Sequence, residues 1–253
     1  MIKSKTAFKR MQPLMGTFVE IEIESHLGCE ELVSRVFEFG QSLEQILSRK
    51  DPHSELNNYN RSSLKKPSPL LEEALQLSLE MERVSEGFFS SSEATSGFHD
   101  LGGIAKGFIV DKMISFLLER SPQAQGVINA GGDLRFFNPS ERKASLRLGP
   151  PDQPVWREWL VHQDAVATSS PGRSESDPRS STTYRQPLRP PLKANDSVSV
   201  NASKCSIADA LTKVGLFAKP EIIQRCSTVF QATIVVFNSQ GQPLEIYAPQ
   251  SQP

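Results

Sequence analysis

Phe18-Val19-Glu20-Ile21-Glu22-Ile23-Glu24 alternates apolar and acidic side chains. A period of two belongs to a strand with one face buried and the other in water. The pattern then changes. Leu32, Val33, Val36, Phe39, Leu43, Ile46 and Leu47 recur at helical spacing and predict a long amphipathic helix over 29–47. Strands and helices go on interleaving without a regular βαβ rhythm, which favours a mixed α/β or α+β fold with helices flanking a central mixed or antiparallel sheet.

The later elements follow from the same patterns. Residues 48–66 are polar and read as a loop. A second helix is expected over 70–84, with Pro69 near its start and Gly87 past its end. Residues 85–99 read as irregular, and a third helix is expected over 110–118. A strand broken by a glycine turn covers 126–136, and further strands fall at 145–148, 158–162, 164–168 and 197–201. A helix over 207–217 and a hairpin from 233–238 and 243–248 close the chain. Serine, arginine and proline dominate 169–196, which reads as a flexible insert within one domain over 1–253.

With 253 residues, a formal charge of -1 and 38% hydrophobic residues, the chain suits a soluble domain with a sizeable core. That balance gives no footprint for nucleic acid. Cys29, Cys205 and Cys226 lack metal-ligand spacing and read as small buried hydrophobes in a reducing compartment. No apolar run resembles a secretory signal or reaches the length of a membrane span, so the cytoplasm is the expected location.

The chemistry concentrates in Asp100-Leu101-Gly102-Gly103-Ile104-Ala105-Lys106-Gly107-Phe108-Ile109-Val110-Asp111. Glycine lets a backbone approach a ligand closely, and a helix N-terminus offers unpaired N–H groups to an anion. Lys106 adds a point charge of the kind that holds phosphate. The stretch reads as a phosphate-contacting turn feeding a helix, or as a plain glycine-rich connection with a surface lysine. It is neither a P-loop nor a dinucleotide fingerprint, because both glycine spacings are absent.

Five segments in order place that stretch in a larger pattern. They are Met15-Gly16-Thr17; Leu47-Ser48 with Ser54-Glu55-Leu56-Asn57-Asn58-Tyr59-Asn60; the glycine–lysine stretch ending at Asp111; Asn129-Ala130-Gly131-Gly132-Asp133; and Ala165-Val166-Ala167-Thr168-Ser169 with Val198-Ser199-Val200 and Ala208-Asp209-Ala210-Leu211. Together they resemble the ApbE family, the FAD:protein FMN transferases. The resemblance implies a reaction in which a threonine hydroxyl of an acceptor protein attacks the FAD pyrophosphate, takes FMN and releases AMP. No nucleic-acid or membrane partner is implied.

On that resemblance Lys106 contacts phosphate or the polar edge of the flavin, and Gly131 and Gly132 pass beside the ligand while Asp133 fixes their turn. Met15, Asp111 and Thr168 complete that side, and Glu55 with Asn57 lines the other wall. For Asp133 a turn-capping role stands beside ligand contact, and for Glu55 a solvated surface role does. The family holds Mg²⁺ with a backbone carbonyl, which maps to Ala105, and with an aspartate, which maps to Asp209, plus a threonine four residues later. Here that later position is Lys213. Lys213 either supplies the charge that the metal supplies elsewhere or forms a helical ion pair with Asp209, and the two are compatible.

Two further departures bear on activity. A His-x-x-Asp-Pro segment expected before the Val-Ser-Val strand has no histidine in Ser174-Glu175-Ser176-Asp177-Pro178-Arg179, and the stretch from Gly87 to Asp100 is short. His26, His53, His99 and His162 lie outside the motifs, and only His99, beside Asp100, offers a substitute base. Two functions follow: FMN transfer from FAD to a protein threonine, with Asp209 and Lys213 at its centre, or flavin or partner binding by a member that has lost transfer.

Overall fold

The computed structural model describes residues 6–25, 28–62, 64–92, 96–149, 152–171, 192–193 and 195–250. Most of the proline-rich insert and the Ser174–Arg179 segment lie outside these residues, as does His26. The elements are β1 (Thr6–Leu14), β2 (Thr17–Ser25), α1 (Cys29–Leu47), α2 (Glu55–Asn60), α3 (Pro69–Val84), α4 (Ala105–Arg120), β3 (Gln125–Ala130), β4 (Asp133–Phe137), β5 (Lys143–Leu148), β6 (Val155–Leu160), β7 (Ala165–Ser169), β8 (Ser197–Ala202), α5 (Cys205–Phe217), α6 (Pro220–Val229), β9 (Thr233–Phe237) and β10 (Pro243–Tyr247).

Eight strands form one sheet in the order β1-β2-β3-β4-β7-β8-β9-β10, and every neighbouring pair is antiparallel. Its two faces carry different cores. Val19, Ile21 and Ile23 of β2 and Ile128 of β3 pack with Val36 and Leu43 of α1, Met113 of α4 and Leu211 of α5. On the opposite face Phe136, Val166, Val235 and Phe237 pack with Ala144, Leu146 and Leu148 of the β5–β6 hairpin. The acidic column Glu20, Glu22 and Glu24 belongs to that second face, which is why β2 alternates as it does. Among the described residues no helix is long and apolar enough to cross a membrane.

Three local readings of the sequence need correction. The stretch 48–66 is not all loop: Ser54 caps α2 by accepting the Asn57 N–H at 3.1 Å, and six residues are too few to show periodicity. The third helix begins at Ala105, five residues before the expected 110, so Lys106 and Gly107 stand in the first turn of α4 and not in the loop before it. Strand β1 and helix α6 were not foreseen. The helix-facing residues of β1 include Arg10 and Gln12 in place of a clean apolar column, and Arg10 bonds to Ser34 Oγ at 2.7 Å on α1.

Two hairpin turns meet at one end of the sheet. Met15-Gly16 joins β1 to β2 with φ of 57° and 70°, and Gly131-Gly132 joins β3 to β4 with φ of 63° and 101°. Positive φ at both central residues suits the tight turns that match strand twist. A Cβ on Gly131 would lie 2.5 Å from Thr17 Oγ1, so the two turns touch and only glycine fits there.

Candidate functional site

Helix α5 is seated against α4 by two devices. Gly107 lets the backbones meet, since a Cβ there would lie 2.5 Å from the Cys205 carbonyl oxygen. Asp111 then accepts from the Cys205 N–H at 2.8 Å, the Ser206 N–H at 3.0 Å and the Ser206 hydroxyl at 2.7 Å. This is an N-cap supplied by another helix, placing negative charge at the positive end of the α5 dipole. Arg135 Nε donates to the same carboxylate at 3.2 Å. Asp111, expected beside a flavin, is therefore occupied in docking α5.

That docking brings four charged side chains together. Register puts Asp133, opposite Ala130, on the helix-facing side of β4. Its carboxylate pairs with Lys106 Nζ, which also stands 3.7 Å from Asp209 Oδ2. Lys213 Nζ pairs with Asp209 Oδ1 and donates to the Asp209 backbone carbonyl at 2.9 Å. Asp133 and Asp209 are buried, whereas the Lys106 side chain keeps 28% of its surface open. Asp209 Oδ2 has no hydrogen-bond partner among the described residues.

Burial by itself drives the Asp209 carboxyl up. The Lys106 and Lys213 charges, with hydrogen bonds from Lys213 and the Gly107 backbone, outweigh it and leave the group below its ordinary value and ionised. Lys106 moves down from its ordinary value because burial costs the ammonium more than Asp209 returns. The nearby Cys205 thiol is pushed well up by burial and then by Asp111, so it stays protonated and is no nucleophile.

Hydroxyls border the cluster. Thr212 Oγ1 donates to the Asp209 carbonyl at 2.7 Å and lies 2.8 Å from Ser169 Oγ. Thr168 belongs to the other face of the sheet, because side chains alternate along β7, and its hydroxyl lies 2.9 Å from Ser199 Oγ. Ser169 is thus the polar neighbour that reading the sequence missed, and the parity of β7 was its signal; Thr212, the threonine three residues after Asp209 in the sequence, lies beside it.

The remaining expected residues divide by place. Gly131, Gly132 and Met15 form the two touching turns at the Asp133 end of the sheet. Asn129 fixes the glycine turn by accepting the Gly132 N–H at 2.9 Å, which corrects the assignment of that duty to Asp133. Ala105 is the first residue of α4, with its carbonyl in the intrahelical ladder. Glu55 accepts the Ser68 N–H at the start of α3, and Asn57 donates to the carbonyls of Arg49 at 3.0 Å and Asp51 at 2.6 Å. Both therefore organise the 48–68 segment and make no bond to the lysine–aspartate cluster among the described residues. His99 stacks on Tyr59 with ring centroids 5.9 Å apart, and it too has no bond to the cluster among those residues.

Magnesium, which the resemblance implies, does not fit these residues. Asp133 Oδ2 and both carboxylate oxygens of Asp209 face an ammonium, and a divalent ion at Asp209 would have to displace Lys213 from a largely buried seat. Among the described residues no three His, Cys, Asp or Glu side chains converge on one point. A groove of about 420 Å³ lined by Lys9, Glu22, Gly126, Val127, Phe136 and Pro139 lies at the far end of the same sheet, away from the cluster.

Comparison with known proteins bears on the whole arrangement. Solved structures share the fold across nearly the full chain: the flavin transferase ApbE from Vibrio cholerae (TM-score 0.77, 15% identity, 98% of each chain covered), the ApbE protein from Thermotoga maritima (0.71, 16%, 97% of each) and the apo flavinyl transferase ApbE from Pseudomonas stutzeri (0.73, 15%, 97% of this chain and 95% of that one). No curated protein matches the sequence. A model of the ApbE family matches residues 98–234, which is more than half of the sequence and holds Lys106, Asp133, Asp209 and Lys213. By that match this chain belongs to the ApbE family.

Proposed function

We propose that this chain binds FAD at the end of the sheet where the glycine turns meet the lysine–aspartate cluster, and transfers FMN to a threonine of an acceptor protein in the cytoplasm. The observation that carries the reading is the gathering of Lys106, Asp133, Asp209 and Lys213 beside two touching glycine turns. A lysine held below its ordinary value at some cost to the fold fits a binding or reacting role better than a scaffold role. In the reaction a threonine oxygen forms a bond to the phosphorus of the FMN half, the pyrophosphate P–O bond breaks, AMP departs with the bond's electron pair, and the hydroxyl proton leaves to solvent. This chain's residues align the diphosphate and offset its charge, chiefly through the open side of Lys106.

One observation favours a second reading. Asp133 and Asp209 balance Lys106 and Lys213 one for one, leaving the cluster no surplus positive charge for a diphosphate. That balance suits a member that binds a flavin or a partner without transferring FMN.

Incubation with FAD and a threonine-bearing acceptor domain, followed by intact mass measurement, separates the two. Transfer adds one FMN to the acceptor, and Lys106→Met abolishes the addition while the protein stays folded. FAD binding with no adduct would establish the second reading in its flavin-binding form, and neither binding nor adduct would reject the transferase and every flavin-binding reading.

A further inference from the structure

We propose that the Lys213 ammonium is the resident cation of this site, so that the site operates without a divalent metal. For its function the inference rests on the flavin reading above; for the identity of the cation it rests on geometry alone.

Lys213 follows Asp209 by one helical turn on α5, which puts the two side chains on one face. Its ammonium meets two oxygens of that single residue, the carboxylate Oδ1 and, at 2.9 Å, the backbone carbonyl. That seat differs from a solvated helical ion pair, since the side chains keep only 15% and 2% of their surface. A lysine buried so far is held by its partners, and both partners are oxygens of the type a hard divalent ion would take.

The other candidate ligands around Asp209 are only partly in use, since Oδ2 makes no hydrogen bond among the described residues. Oδ2 faces Lys106 at 3.7 Å. The backbone carbonyl also accepts from Thr212 Oγ1 at 2.7 Å, and that hydroxyl is engaged with Ser169 as well. A divalent ion at Asp209 would meet an ammonium on either side of its first ligand. Lys213 brings one positive charge where magnesium brings two, so the cluster is neutral where a metal-loaded version would carry one surplus charge.

The experiment is thermal melting and calorimetric titration of the full chain with MgCl₂ alone, before and after EDTA. The wild-type protein is expected to give no binding heat, and its Tm to be the same with magnesium and with EDTA. Lys213→Thr frees Asp209, and its Tm should rise by roughly 5 °C or more at about 100 times the dissociation constant. Lys213→Arg keeps a cation and should stay indifferent to the metal. A wild-type Tm that falls in EDTA and recovers with magnesium overturns the proposal, and that measurement needs no variant to fold. A folded Lys213→Thr protein that gains no response also overturns it. FMN transfer assayed in EDTA keeps the two readings apart. Transfer that needs magnesium sinks the resident lysine and leaves the transferase standing, whereas no transfer in a metal-indifferent protein does the reverse.

Discussion

Lys9 on β1 and Lys106 on α4 are each set between two carboxylates. Lys9 reaches Glu20 at 2.9 Å and Glu22 at 2.5 Å on the face of the sheet away from the helices, with 58% of its side chain in water. Lys106 reaches Asp133 and Asp209 on the helix face, both of them buried. The two ammonium groups move in opposite directions. Hydrogen bonds to Glu22 and then Glu20 raise Lys9 above its ordinary value, whereas burial lowers Lys106 despite Asp209 beside it. The same constellation is a surface ornament in one place and a costly fixture in the other. Water sets the difference, because it screens the first and has been removed from most of the second.

The sharpest break in that comparison is Asp209→Asn. It removes the carboxylate that lies between Lys106 and Lys213 and leaves two partly buried ammonium groups with Asp133 alone. Breaking a buried pair from one side costs about 3 kcal/mol. For a chain of this size that lowers Tm by roughly 6–12 °C. Calorimetry checks it, and a loss no greater than that of a surface variant would mean the cluster is open to water.

Acid sharpens the same contrast with a smaller effect. The folded Asp209 carboxyl lies below the ordinary 3.8, so the unfolded chain takes up its proton first as pH falls. The stability it contributes is whole above 3.8 and is lost as pH drops through the lower folded value. Asp209→Asn has no such group, so its urea midpoint should decline less steeply than that of the wild type between about pH 4 and pH 2. Parallel declines would show that Asp209 is not held ionised by its two lysines.

The buried cluster was only half legible in the sequence, and the reason is distance along the chain. The Asp209–Lys213 relation is one helical turn and can be read from spacing alone. The meeting of Lys106 with Asp133 depends on the β3–β4 register and on how α4 crosses the sheet, which no local pattern encodes. Asp111 looked like part of a ligand loop, yet it caps a helix on the far side of the family motif, a contact set by the Gly107 crossing. Thr168 was misplaced by one step of strand parity, and such a step sends a side chain through the sheet. The fold was more open to reading. α1 and β2 each bury one clean stripe, so their periods survive in the sequence, and the double glycine of β3–β4 marks its turn. β1 stayed hidden because an edge strand beside α1 can place Arg10 and Gln12 on its inner side.

Lys9→Met tests the exposed side of the comparison and should do the least. The raised Lys9 value means that its pairing helps the fold below 10.5 and that the help is lost as pH rises through the folded value. The group is nevertheless solvated, and ion pairs of that kind contribute little because holding two long side chains in place offsets a screened attraction. The Tm of Lys9→Met should therefore lie within the scatter of repeated wild-type melts at neutral pH. Any small deficit seen at about 0.05 M salt should vanish at about 0.5 M, where the Debye length is shorter than the reach of these side chains. The deficit of Asp209→Asn should persist at both concentrations, since its charges are shielded from salt by the α4–α5 contact. A Lys9→Met deficit that survives high salt would erase the distinction between the two lysines and place the back of the sheet, with its groove, among the parts that hold this fold together.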